Sequence, residues 1–168
     1  MRYSLGLLPA LLCGQALYIG SEFTMLRFHR GLYPALLASG VMGGVGWELY
    51  KSGQAYMLLG WSEARLMYLF SASGSPFFPG ATIGTALRIE LPFRQKYYLQ
   101  GGIGMDGYIL HFRDGGGTSL QDRQLRPILT FECGSFAFAD GIFLRYSFYP
   151  LPGTTGKFVF TIGSYLGE

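Results

Sequence analysis

Nucleophilic catalysis needs a base within hydrogen-bond reach of its nucleophile, and His29 and His111 are the only histidines in the chain. They lie in His29-Arg30-Gly31 and His111-Phe112-Arg113, neither with a serine two residues away on the same strand face. Ser71, Ser73, Ser75 and Ser119 fall in expected loops. No Cys or His cluster has metal-ligand spacing. Gly115-Gly116-Gly117 reads as a loop tip rather than a phosphate cradle, because no helix follows it. The residues therefore predict no catalytic site, no metal and no cofactor.

What remains is a set of charges embedded in apolar runs. From Ala55 to Phe70 the chain reads AYMLLGWSEARLMYLF, and from Ala81 to Leu91 it reads ATIGTALRIEL. Each run carries two charges spaced two apart, Glu63 with Arg65 and Arg88 with Glu90. On a helix that spacing is roughly 200°, which would turn one charge of each pair away from the other; on a strand both share a face. The opposite face is then Leu58, Gly60, Ala64, Leu66, Tyr68 and Phe70 in the first run, and Ile83, Thr85, Leu87, Ile89 and Leu91 in the second. Polar inside and apolar outside is the pattern of a transmembrane β-barrel.

Composition agrees. The 168 residues suffice for one domain and are 49% hydrophobic and 17% aromatic but only 14% charged, against about a quarter charged in soluble domains. Twenty-six glycines and eight prolines argue against a helical bundle. A net charge of +3 without a basic run argues against nucleic acid. Of the two cysteines, Cys13 lies in an N-terminal stretch expected to be removed, so Cys133 is expected to be a small apolar residue on a strand face.

Residues 1–16, MRYSLGLLPALLCGQA, place Arg2 before a short apolar stretch and end in a small-x-small pattern, which predicts a secretory signal peptide. Lipidation at Cys13 is disfavoured by the bulky Leu12, and a retained strand or helix is the other alternative. Turn signals divide residues 17–168 into eight runs, 17–28, 35–49, 54–70, 80–91, 96–113, 125–138, 141–149 and 157–166. Each is long enough to span a membrane as a strand. The connections at 50–53, 92–95 and 139–140 are tight, whereas 29–34, 71–79, 114–124 and 150–156 are mostly longer. Short periplasmic turns alternating with longer outside loops are expected of an outer-membrane barrel. Aromatics gather at both sets of strand ends: Tyr18, Trp47, Tyr50, Tyr56, Phe93, Tyr97 and Tyr98 on the tight-turn side, and Phe28, Tyr33, Phe70, Phe112, Tyr146, Phe148, Tyr149 and Phe158 on the other. A soluble β-sandwich and four transmembrane helices are the rival folds.

With these features the chain resembles the small eight-stranded outer-membrane barrels, the class of the OmpA transmembrane domain, OmpX and OmpW. The resemblance rests on architecture across nearly all of residues 17–168, with no family motif matched. Such barrels commonly end on an aromatic residue; here Tyr165 precedes Leu166-Gly167-Glu168. It implies an all-β, eight-stranded, antiparallel up-and-down transmembrane barrel in the bacterial outer membrane, a monomer surrounded by lipid.

Strand parity then assigns Glu22, Glu48, Glu63, Arg65, Arg88, Glu90, Gln100, Asp106, Glu132 and Arg145 to the lumen, with Glu132 and Arg145 on adjacent strands at similar depth. An eight-stranded lumen is only wide enough for side chains to fill, so these charges are expected to plug it. Six carboxylates against three arginines leave an excess that would favour cations if the lumen were wet. Gly40, Gly44, Gly46, Gly84, Gly102 and Gly104 share the inward parity and either leave room for water or let the strands curve. Arg27, Arg30, Arg113, Arg123, Arg126 and Lys157 are expected at the outer rim, in reach of lipid phosphates. The expected function is structural or surface-interacting, with a host or envelope ligand at the outside loops. The alternatives are a narrow pore or small-solute barrel of OmpW type and, third, a lipid A-modifying enzyme.

Overall fold

Alternation decides the fold, because each run carries one apolar and one mixed face and only a closed sheet can enclose the mixed one. The computed structural model describes residues 16–26, 36–52, 56–70, 77–91, 97–113, 119–135, 141–150 and 158–165. They form β1 (Ala16–Leu26), β2 (Leu36–Ser52), β3 (Tyr56–Leu69), β4 (Phe77–Leu91), β5 (Tyr97–Arg113), β6 (Ser119–Ser135), β7 (Ile142–Phe148) and β8 (Phe158–Tyr165). Every neighbouring pair is antiparallel, and β8 pairs back onto β1 to close the barrel. We call the end holding Ala16 and Tyr165 the inner end and the opposite one the outer end.

The exterior is apolar over its height. Val41, Ile83 and Ile103 are 64%, 58% and 62% exposed, which fits a hydrocarbon solvent and not water. Tyr50, Tyr56 and Tyr97 stand exposed near the inner end, and Phe70 and Tyr146 are exposed on the same outer wall. Three expected belt residues do not join them. Tyr18, Tyr98 and Tyr149 are buried in the lumen, because they share the parity of the inward charges.

Strand limits depart from the sequence reading where polar residues stay in register. β6 begins at Ser119 rather than 125, since Ser119–Gln124 pairs with Arg113–Tyr108. The connection expected over 114–124 is thereby cut to residues 114–118. β4 begins at Phe77, which pairs with Tyr68, so 77–79 also leave the expected loop. β2 runs to Ser52 through an irregularity between Glu48 and Tyr50. Ala16, expected to end the signal segment, is the first residue of β1 and pairs with Gly46. The β5–β6 ladder reaches Arg113–Ser119, whereas β4 leaves β5 at Tyr108 and β7 meets β6 only from Leu129. Among the described residues, the outer part of this hairpin pairs only with itself.

Inward glycines serve a purpose that composition did not reveal. A methyl group added at Gly44 would overlap the Tyr18 ring, and one at Gly84 would meet Trp61. Gly134 lies likewise under Tyr98, and Gly163 under Phe143. Each missing side chain lets a large ring from a neighbouring strand lie flat within a narrow barrel. At the inner end Gly141 has a φ of 49°, left-handed backbone that suits glycine, where the chain enters β7.

Candidate functional site

Around the closed ring, β3 stands opposite β7 and β4 opposite β8. Both diameters are bridged. Arg145 of β7 donates from Nη1 to Glu63 Oε2 of β3 at 2.5 Å, and Arg88 of β4 donates from Nη2 to Tyr165 Oη of β8 at 2.8 Å. Glu132 ties the two bridges together. Its Oε2 accepts from Arg145 Nε at 2.7 Å, and its Oε1 accepts from Tyr98 Oη at 2.8 Å and Tyr165 Oη at 2.9 Å. Arg88 donates from Nε to Gln100 Oε1 at 2.9 Å and lies 4.1 Å from the Tyr98 ring centroid. Beneath this layer Tyr18, Met42, Tyr98, Phe143 and Tyr165 pack into an apolar floor.

A second polar layer lies towards the outer end, centred on Asp106. Arg65 and Tyr149 both donate to it, and Thr82 Oγ1 donates to Asp106 Oδ1 at 2.8 Å. Arg65 Nη1 also lies 3.2 Å from Thr82 Oγ1 and 3.7 Å from Glu22 Oε1. Arg126 faces Asp106 directly across the β5–β6 ladder, donates to Tyr108 Oη at 3.4 Å, and sits 5.6 Å from the Tyr149 ring centroid. Further out Met67, Leu69 and Leu110 are completely buried. Among the described residues, the only buried side-chain polar atoms without a hydrogen-bond partner are Thr24 Oγ1 and Trp61 Nε1.

The placement changes the charge balance that parity implied. Glu48 is exposed near the β2 irregularity, beyond the filled part of the lumen, and Glu90 is only half-buried at the inner end. Neither belongs to the two layers. Arg126, assigned to the outer rim, is buried inside; it sits deep in a β6 that starts earlier than expected, on the parity of Thr130 and Glu132. Glu22, Glu63, Asp106 and Glu132 therefore face Arg65, Arg88, Arg126 and Arg145, four acids against four bases. The expected acidic excess is absent from these layers.

Of the remaining rim candidates, Arg123 is exposed on the exterior of β6 and Arg113 ends β5. Arg27, Arg30 and Lys157 lie outside the described residues, as do His29, Ser71, Ser73, Ser75 and most of the expected outside loops. His111 is exposed on β5, opposite Gln121. No cluster of three potential metal ligands occurs among the described residues. Cys133 is exposed on the exterior face, between Leu99 and Leu144 of the flanking strands. The tyrosines that complete the network, Tyr98, Tyr108, Tyr149 and Tyr165, were not foreseen as lumen partners. Their parity relative to the inward charges was the available signal.

No protein-family model matches the chain, and no curated protein sequence matches it significantly. Solved structures do. Ail, the attachment invasion locus protein of Yersinia pestis, superposes with a TM-score of 0.58 at 12% identity, covering 89% of this chain and 95% of Ail. The outer membrane enzyme PagL gives a TM-score of 0.59 at 13% identity, covering 91% of this chain and 100% of PagL. Neisserial surface protein A gives 0.53 at 11% identity, covering 91% and 96%. With eight antiparallel strands closed on themselves and an apolar exterior, the chain has the fold of the small outer-membrane β-barrels.

Proposed function

We propose that this outer-membrane barrel is a non-catalytic, structural or surface-interacting protein whose lumen is a closed plug. The observation that carries the reading is the pair of bridges across both diameters, Arg145 to Glu63 and Arg88 to Tyr165, joined through Glu132. A conducting path would have to open buried ion pairs that span the lumen, and removing one partner of such a pair costs about 3–5 kcal/mol. Balanced charge in the two layers also removes the acidic excess that would draw cations through. On this reading the secretory signal lies within residues 1–16, with Ala16 at its junction with β1, and the protein works as a monomer surrounded by outer-membrane lipid.

The interacting part we propose is the set of outside loops expected within 71–79, 114–124 and 150–156, together with the outer part of the β5–β6 hairpin. A host or envelope ligand there is the partner we propose. The structure of Ail in complex with the heparin analogue sucrose octasulfate supports looking for an anionic one. For catalysis, His111 has no serine within two residues on its own strand, and the register places Ser119 of β6 diagonally across from it on the same face, so lipid A modification stays the third reading.

Planar-bilayer recordings of the refolded barrel in potassium chloride test the plug. We expect silence at neutral and acid pH. Reproducible cation-selective steps would establish the narrow-pore alternative instead.

A further inference from the structure

The exterior wall carries an open groove of about 1070 Å³. Its floor is one row of directly opposed residues on four adjacent strands, Gly43, Ala64, Ala81 and Gly107. The walls are full-sized apolar side chains such as Ile83, Met105 and Ile109. Among the described residues, no side chain fills this groove. An exterior glycine lower on β3, Gly60, is covered by the Trp47 ring, whereas a Cβ at Gly43 would meet nothing nearer than a backbone oxygen at 3.9 Å.

Its course is diagonal. Leu17, near the inner end of β1, and Arg123, on the outer part of β6, line the same groove. Crossing from β1 to β6 takes five strand spacings, roughly 24 Å at about 4.8 Å each. With strands tilted about 40° in a membrane barrel, such a row descends roughly 15 Å, about the depth of one leaflet of a hydrocarbon core near 30 Å thick. The upper end is cationic: Arg123 is exposed, and no described acidic side chain pairs with it. With the Gln121 amide oriented as its neighbours require, its oxygen accepts from Arg123 Nη2 at 2.7 Å and Nε at 2.8 Å. That holds the guanidinium at the mouth of the groove and leaves Nη1 free to donate.

We infer that this groove is a lipid-binding site, holding one acyl chain of a phosphorylated outer-leaflet lipid whose phosphate is met by Arg123. Lipid tails are as apolar as the wall, so no hydrophobic force favours one position over another; close packing does. A chain lying in the groove touches protein on three sides instead of one and gains dispersion contacts along its length. The charge-assisted bond from Arg123 to a phosphate oxygen then selects the headgroup. The site is independent of whether the lumen conducts.

Native mass spectrometry of the full folded chain tests it, with diphosphorylated lipid A and the same lipid A stripped of its phosphates supplied in equal amounts. Wild type should keep one diphosphorylated lipid A in about tenfold preference over the dephosphorylated form. Arg123→Ala should erase the preference, and the double variant Ala64→Leu with Ala81→Leu should lose the retained lipid itself. Both changes lie on exposed exterior positions, and heat-modifiable migration on gels verifies that each barrel is closed. Retention by the filled variant at the wild-type level would overturn the site. So would several interchangeable lipids on the wild type, or a preference that survives Arg123→Ala.

Discussion

The two polar layers of the lumen are built from the same residue types but hold the barrel differently. In the inner layer, Arg145 and Arg88 reach across full diameters, to β3 and β8. In the outer layer, Arg65 of β3 reaches Asp106 of β5 and approaches Glu22 of β1, each two strands away. The inner layer ties opposite walls, whereas the outer one ties sectors of the ring. Redundancy differs too. Asp106 accepts from Arg65, Thr82 and Tyr149 and faces Arg126 across the ladder, while Glu63 accepts from Arg145, its ion-pair partner, and from the Tyr18 hydroxyl at 3.1 Å. A cation closely paired with two acids, one of them across a diameter, should be harder to lose than one whose nearest acid sits in a redundant cluster.

Substitutions can break or sharpen that contrast. Arg145→Met should be the most damaging, because Glu63 then keeps the Tyr18 hydroxyl but loses its ion-pair partner, and Glu132 loses its nearest cation. A loss of about 3–5 kcal/mol is expected, read as a lower urea midpoint of the heat-modifiable band. Arg65→Met should cost less, about 2–3 kcal/mol, since three other groups still face Asp106 and the contact Glu22 loses is a longer one, at 3.7 Å. Equal midpoints for these two variants would abolish the distinction between the layers. Gly44→Val tests the floor, where the new side chain would push the Tyr18 ring off its seat. Overpacking of this kind costs about 1–3 kcal/mol, and near-ultraviolet dichroism of the aromatic cluster should weaken with it. The smallest effect is expected from Tyr165→Phe, about 1 kcal/mol, because Glu132 keeps Tyr98 and Arg145 after losing that hydroxyl. If Tyr165→Phe matched Arg145→Met, the second bridge would matter as much as the first.

Parity was legible residue by residue. The alternation in AYMLLGWSEARLMYLF places Glu63 and Arg65 inside and Leu66 and Tyr68 outside, and the strand faces follow it. Height was less legible. Arg126 reads as a rim residue when the preceding DRQ is taken for loop, yet those residues are strand and carry Arg126 into the lumen. Glu48 has the inward parity, but it lies where the β2–β3 register shifts, and it is exposed. Depth depends on where a ladder begins, and polar strand residues outside the hydrocarbon give no apolar signal to mark that start. The aromatic belts failed at Tyr18, Tyr98 and Tyr149 for a related reason: position at a strand end suggests an interface, but parity turns the ring inward.

By itself the sequence determined the class of fold, because a period of two with one apolar face leaves a closed sheet in a membrane as the consistent solution. It also determined which side chains share the interior, since successive residues of a strand must point to opposite faces. Which charge meets which was decided only in the tertiary structure. The pairing of Arg145 with Glu63 joins residues 82 positions apart, through the stagger with which β8 closes on β1, and no local pattern encodes that stagger. The registers of successive strand pairs likewise set Gly43, Ala64, Ala81 and Gly107 side by side, so that four small residues that look unremarkable along the chain become the floor of a groove.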